Sequence, residues 1–317
     1  MAQQQFDFYD KTTLKSYNLD KSMQYQLNIL GNLDVFTRKH SENVASITCR
    51  LCEYLHLPKN FTEYCTICAY LHDIGKQFIP ASILQKQTAL TDEEFEIMKT
   101  HTTIGYKICV DDPKLRPYAA GTIYHHEALN GTGYPNGLTE KDIPLEGQII
   151  RVADEFDAIV SKRQYKSHIG IVDTLKILVD EAHTTNSKSK PFLAIRALAE
   201  DVKVGKLKPS IVKALIKVII DDTEYEISCI MDYLKSLKQD IKRLEEIEKY
   251  DKQRLSATTE KNQNYYLEGI KVLLSGRETV ENYQEVLNSY RNIVEDKSVQ
   301  IDKLFSEIKD IKKLKVK

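Results

Sequence analysis

SENVASITCRLCEYLH, residues 41–56, repeats its apolar side chains at helical spacing: Val44, Ile47, Leu51 and Leu55 fall on one face. LPKN (57–60) breaks the pattern, and a second helical stretch follows over roughly 61–73. The two are expected to form an antiparallel helical hairpin. Working outward, apolar residues recur at this spacing along nearly the whole chain. Eight Pro and 12 Gly are few for 317 residues, and Trp is absent. Long helices with few turns fit that composition, whereas a barrel or sandwich needs frequent turn residues, so the fold class is read as all-α. GTGYPNGLTEKDIPLEG (131–147) gathers Gly and Pro into one long irregular loop. A helix resumes near Leu145 and continues through IIRVADEFDAIVS, and HTTNSKSKP (183–191) reads as a polar linker.

Hydrophobic residues make up 42% of the chain and charged residues 29%, the balance of a globular protein with one large core or two modest ones. Forty-five basic residues face 46 acidic ones, for a formal charge of -1. Bulk attraction to a nucleic acid polymer is therefore not expected. No apolar run reaches the roughly 18 residues of a membrane span. The longest candidate, IVKALIKVII (211–220), is interrupted by lysines, and MAQQQFDFYDK lacks the basic-then-apolar order of a signal peptide. A cytoplasmic location is the expectation.

After about residue 222 the pattern changes. Ile227, Ile230, Leu234, Leu237, Ile241 and Leu244 follow a heptad step, as do Leu287, Tyr290, Val294, Ile301, Leu304, Ile308 and Ile311, with Lys297 at one seam position. Residues 223–317 are read as a long-helix, coiled-coil-like extension. It either seams a homodimer or signalling partner, or folds as a hairpin on its own protomer. The last stretch, KDIKKLKVK (309–317), is expected to be a solvated helix end.

Eight His are unevenly spread: Asp73 directly follows His72, and His125 adjoins His126 just before the Gly-rich loop. A His-Asp pair at a helix end can serve one cavity if the two side chains take different roles. A carboxylate bridging two metals, flanked by an imidazole on one of them, meets that condition.

LHDIGK (71–76), followed by HHEALNGTGYPNGL (125–138), resembles the signature of the HD-GYP phosphodiesterases, a branch of the metal-dependent HD phosphohydrolase superfamily. FTRKHSENVA (36–45), HTTIGY (101–106), RVADEFDA (151–158) and SKRQYK (161–166) resemble further motifs of that family in the same order. The similarity spans roughly residues 25–222, leaving 1–24 as an N-terminal segment too short for a sensor domain.

The resemblance implies an HD-type helical bundle with two divalent metal ions, Fe or Mn with Zn also tolerated. His40, His72, Asp73 and Asp154 would hold one, and Asp73 would bridge to a second held by His101, His125 and His126. It implies Asp73 and Lys76 as catalytic residues, and Lys76, Arg163 and Lys166 as phosphate-binding cations. Tyr134 and Pro135 would shape the substrate pocket. The implied reaction is hydrolysis of a cyclic dinucleotide, cyclic di-GMP first, to the linear pGpG, with further cleavage to GMP left open. Cyclic GMP-AMP or another nucleotide phosphoester is the alternative substrate. A non-catalytic signalling scaffold acting through the heptad helices is the alternative of a different class.

Two positions depart from the family pattern. Phe36 stands where some members carry a Glu for a third metal, which favours two metals, and Asn130 stands where Asp is usual. Cys49-x-x-Cys52 and Cys65-x-x-Cys68 mimic a zinc-site spacing. Both pairs lie in apolar helical stretches rather than tight turns, so buried reduced thiols filling a helix seam are the favoured reading.

Overall fold

The structure is a computed structural model that describes residues 35–86, 88–161, 189–274, 276 and 278–317. Segment 1–24, residues 183–188 of the polar linker, Arg163, Lys166 and the side chain of Phe36 lie outside the described residues. The helices are α1 (Val35–Tyr54), α2 (Lys59–Leu71), α3 (Ala81–Leu84), α4 (Asp92–Asp111), α5 (Ala119–Tyr124), α6 (Leu145–Val160), α7 (Lys190–Lys203), α8 (Pro209–Ser256), α9 (Glu260–Leu273) and α10 (Tyr283–Lys313). Short 3-10 turns span Ile74–Phe78 and Arg116–Tyr118. No strand occurs among the described residues, and a lone bridge pairs Asn130 with Thr139 across the Gly-rich loop. The all-α class is observed, and no helix among the described residues is long and apolar enough to cross a membrane.

The expected hairpin is α1 and α2. Its turn is set by His56, whose φ of 55° places it in the left-handed region. The His56 amide donates to the Glu53 carbonyl and the Leu57 amide to the Cys52 carbonyl, which satisfies two orphan carbonyls of α1 in a Schellman motif. Leu57 then packs on the core. Helix α4 begins with a capping box: Thr91 Oγ accepts from the Glu94 amide, and the Glu94 carboxylate accepts from the Thr91 amide.

The described chain divides into two compact units. One holds the described residues through Asp221 together with Asp310–Lys317; the other is Asp222–Lys309. In the first, α6 buries Ile149, Ile150, Val152, Ala153 and Phe156 on one stripe against Val44 and Leu51 of α1 and Ile195 and Leu198 of α7. Ile311 and Val316 are buried in this same core, at 1% and 8% exposure. The end of the chain is thus not the solvated helix end that its lysines suggest: its apolar positions are core residues.

In the second unit the heptad residues Ile227, Ile230, Leu234, Leu237, Leu244, Leu287 and Ile308 are buried. Arg291 pairs with Glu245, Gln300 Nε2 donates to Glu226, and the Tyr283 hydroxyl donates to Asp251. Rising numbers on α10 meet falling numbers on α8, so the two seams pack against each other, antiparallel, within one chain. Of the two readings of the heptads, this is the hairpin.

Four of the six cysteines lie on α1 and α2, all of them buried and unbonded. Burial pushes the Cys49 thiol up to about 12 and raises Cys65 and Cys68 as well. All four are packing thiols, and none belongs to a metal-holding cluster among the described residues.

Candidate metal centre

Six structural pieces bring their polar residues to one buried point. His40 comes from α1, His101 from α4 and Asp154 from α6, while His125 and His126 follow the end of α5. His72 and Asp73 lie where α2 stops, two residues earlier than the periodicity predicts. His72 keeps helical angles, but Asp73 has φ -100° and ψ 8°, which turns the chain into the 3-10 segment carrying Lys76. That break allows adjacent side chains to face one cavity. Close backbone approach does the rest. A Cβ at Gly75 would lie 2.0 Å from the His101 carbonyl oxygen, and one at Gly121 would lie 2.2 Å from that of Cys68. Only glycine lets the 3-10 turn meet α4 and α5 meet α2 at those distances.

Asp73 is central. Its Oδ2 is 3.2 Å from His72 Nε2 and 3.7 Å from His40 Nε2, and its Oδ1 is 3.5 Å from His101 Nε2 and 3.9 Å from His125 Nε2. Lys76 Nζ donates to Oδ2. Asp154 Oδ1 is 2.9 Å from His40 Nε2, and its Oδ2 is 3.8 Å from His126 Nδ1. Each of these eight residues is at most 7% exposed. The seven residues named as ligands from the sequence are therefore brought together, with Lys76 beside them; Arg163 and Lys166 fall outside the described residues.

Four imidazoles are oriented from behind. The Nδ1 of His72 contacts the Ala69 carbonyl at 2.6 Å, that of His101 the Met98 carbonyl at 2.7 Å, and that of His125 the Gly121 carbonyl at 2.9 Å. His40 Nδ1 contacts Asp157 Oδ2 at 2.6 Å. A carbonyl only accepts, so in His72, His101 and His125 the proton sits on Nδ1 and the Nε2 lone pair faces the cavity, the tautomer that a metal ligand needs.

The charge states follow from burial and contact. Burial pushes His101 down to about 4. His125 and His126 are held well below the usual imidazole value by burial and by neighbouring histidines. Burial also opposes charge on Asp73 and Asp154, but the facing imidazoles, with Lys76 at Asp73, outweigh it and hold both carboxyls well below their ordinary value. His72 is raised, because Asp73 and Asp154 overcome its burial. Neutral imidazoles beside ionised carboxylates form a donor set for a divalent ion.

The fit to metal is supported by atoms left over. His72 Nε2, Asp73 Oδ1 and His126 Nε2 are buried and make no hydrogen bond. Three sets of donors converge within 4.8 Å: His40, His72 and Asp73; His101, His125 and His126; and His72, His125 and Asp154. Buried orphan atoms of this kind are costly unless something binds them.

The Gly-rich loop closes over the cluster. Tyr134 stacks on His126 with ring centroids 4.7 Å apart, and meets His101 and Phe95 edge-on. Its hydroxyl, pushed up by burial and by the Asp154 and Asp73 charges, stays protonated. A Cβ at Gly133 would lie 2.2 Å from the Ala128 amide nitrogen, so the loop folds tightly on itself. Asn130 donates to the Val204 carbonyl at 3.0 Å and accepts from both the amide and the hydroxyl of Thr132. An Asp could make the second set of bonds but not the first, so the departure from the family pattern carries its own contact.

Three residues that anchor the cluster were not read from the sequence. Asp157 orients His40 and also accepts from Asn43 Nδ2 and Ser161 Oγ. Glu127, at 1% exposure, accepts from the amides of Asn136 and Leu138 and so pins the loop. Arg151 donates to the His126 carbonyl at 2.8 Å and pairs with Glu155, whose carboxyl burial pushes up to about 7. The signal for Asp157 was present: at three residues beyond Asp154 it shares that residue's helix face.

Residues 24–186 match the model of the HD domain family. The chain is 46% identical over 144 residues to a cyclic di-GMP phosphodiesterase of Thermotoga maritima, covering 44% of this chain and 39% of the relative. It is 37% identical over 161 residues to a cyclic di-GMP phosphodiesterase of Borreliella burgdorferi, covering 50% and 42%. It is 38% identical over 132 residues to a 3'3'-cGAMP-specific phosphodiesterase of Vibrio cholerae, covering 41% and 25%. The chain thus spans well under half the length of each of these relatives.

Proposed function

Since the chain belongs to the HD domain family, of the HD-GYP type, we propose that it is a metal-dependent phosphodiesterase that opens a cyclic dinucleotide, cyclic di-GMP first, to the linear form. The observation that carries this reading is the convergence of five buried histidines and two carboxylates with orphaned donor atoms at their centre. His40, His72, Asp73 and Asp154 would hold one ion, and His101, His125 and His126, with Asp73 beside them, would hold a second. When bound, the two ions supply Lewis acidity toward the phosphoryl oxygens. The donor set, rich in imidazole and free of thiolate, suits Fe or Mn and tolerates Zn.

The chain's own residues set the terms of that chemistry. Backbone carbonyls behind His72, His101 and His125 hold the proton on Nδ1 and turn Nε2 toward the ion, and His101 and His125 are neutral and ready to ligate. Asp73 is ionised before substrate arrives. Lys76 places an ammonium group beside it, poised to donate to a phosphate oxygen and to stabilise the charge that develops there. Arg163 and Lys166 would grip the other phosphate, and the Tyr134 ring, stacked on His126, walls the cluster on the loop side. Six free thiols suit a reducing compartment, and we place the reaction in the cytoplasm.

The test is product analysis after anaerobically purified, Mn- or Fe-loaded protein is incubated with cyclic di-GMP and, in parallel, cyclic GMP-AMP. Conversion of cyclic di-GMP to the linear dinucleotide is expected. Faster conversion of cyclic GMP-AMP would reassign the substrate, which the name of the Vibrio cholerae relative makes the specific alternative. No conversion of either with metal bound would overturn the proposal in favour of a scaffold.

A further inference from the structure

Outside the metal centre, the first unit carries a second concave feature of strong chemical character. A cavity of about 490 Å³ lies between one face of α7 and the end of the chain. It is lined by Arg196, Lys203, Lys313, Lys315 and Lys317, with Glu200 as its one acidic side chain. Five basic side chains against one acidic side chain stand out in a chain whose formal charge is only -1.

The clustering is built by the fold rather than by loose side chains. Arg196, Glu200 and Lys203 recur at spacings of four and three residues, which aligns them on one stripe of α7. Opposite them, the chain leaves α10 after Lys313 and alternates in burial. Leu314 is half-buried and Val316 is buried in the core, while Lys315 and Lys317 are exposed. Ile311 and Val316 thereby act as anchors that hold three lysines against α7. Holding like charges together is unfavourable unless something neutralises them. Local pairing covers only part of the charge: Lys203 pairs with Glu200 at 2.6 Å and Lys313 with Asp310 at 3.2 Å, while Lys315 and Lys317 make no ion pair among the described residues.

We propose that this cavity binds a small polyphosphate anion, such as a nucleoside triphosphate, at a site separate from the metal centre. Its volume falls within the roughly 300–1,000 Å³ of small-molecule pockets. Clustered phosphates are the ligand chemistry that matches several converging ammonium groups and one guanidinium. A polymer is disfavoured, because a chain of formal charge -1 offers no long-range steering field toward one. The inference is independent of the phosphodiesterase reading, since no residue of the histidine cluster lines the cavity.

The experiment is isothermal titration of the full chain with sodium tripolyphosphate and with ATP, repeated in two variants. In Asp73→Ala the metal centre is disabled; in the double variant Lys315→Glu, Lys317→Glu the cavity is reversed in charge, at two exposed positions that leave the core intact. Saturable binding that survives Asp73→Ala and weakens at least tenfold in the double variant is the expected result, with the unliganded melting temperature of the double variant unchanged. Raising the salt concentration should weaken this binding steeply. Loss of binding in Asp73→Ala would assign the phosphates to the metal centre and overturn the proposal. So would equal affinity in the double variant, or binding only to phosphatidylglycerol vesicles and to neither soluble anion.

Discussion

Asp157→Asn isolates the role of the residues behind the histidine cluster. The Asp157 carboxylate, at 4% exposure, is fully engaged: Oδ2 faces His40 Nδ1 at 2.6 Å, while Oδ1 accepts from Asn43 Nδ2 at 3.0 Å and from Ser161 Oγ at 2.8 Å. Asparagine keeps the shape but turns one oxygen into an NH₂ group. In one amide orientation that group meets the His40 N–H; in the other it meets the Asn43 amide. Either way a donor faces a donor, and a charge-assisted bond of about 1.5–3 kcal/mol is lost. If the loss falls on His40, it appears as about a 10- to 100-fold rise in the Kd for Mn²⁺, because the ring is no longer held with Nε2 toward the ion. The assay is Mn²⁺ titration of chelator-stripped protein, with far-UV circular dichroism as a control for folding. An unchanged Kd in a folded variant would refute the claim that Asp157 orients His40.

Gly75→Ala should destabilise the protein by at least ~2 kcal/mol and weaken metal binding as well, since its Cβ would meet the His101 carbonyl at 2.0 Å; urea denaturation and Mn²⁺ titration read the two effects. The metal-free protein should lose stability as the pH falls from about 6.5 toward about 4. Over that interval the unfolded chain protonates a histidine that the fold holds neutral at His101. His125 and His126 add to this with the same sign, while His72 and the raised Glu155 carboxyl oppose it; with three depressed imidazoles against two raised groups, urea midpoints across the pH series should decline rather than stay flat. Ile311→Ala should cost about 2–5 kcal/mol, the range for a buried Ile in a tightly packed core, whereas a solvated helix end would lose almost nothing.

Much of the site was legible because its chemistry is written in short ordered motifs. LHDIGK and the HHE–GYP stretch name their residues directly, and the side chains of His40, His72, Asp73, His101, His125, His126 and Asp154 stand within one buried cluster. What local pattern could not show was where tertiary contact overrules periodicity. The run 61–73 reads as one helix, yet α2 ends at Leu71, because Gly75 must meet α4 and Asp73 must turn out of the helical register. Arg151 and Glu127 work through backbone carbonyls and amides distant in sequence, and such partners leave no trace in residue type. The tail was misread for the opposite reason. Five lysines in KDIKKLKVK dominate its composition, while the apolar alternation that anchors it is carried by Ile311, Leu314 and Val316 alone. The heptads were plain, but heptad spacing is the same for a seam within one chain and between two. Only the pairing of α8 with α10 distinguishes them.

The most direct test of the central claim is elemental analysis of anaerobically purified wild-type protein beside Asp73→Ala. The proposed ligand assignment around Asp73 predicts two transition-metal ions per wild-type chain. It also predicts loss of at least the bridged pair in the variant, with helicity preserved. Wild-type protein that purifies folded but without stoichiometric metal, and takes none up when Mn²⁺ or Fe²⁺ is supplied, would contradict the account.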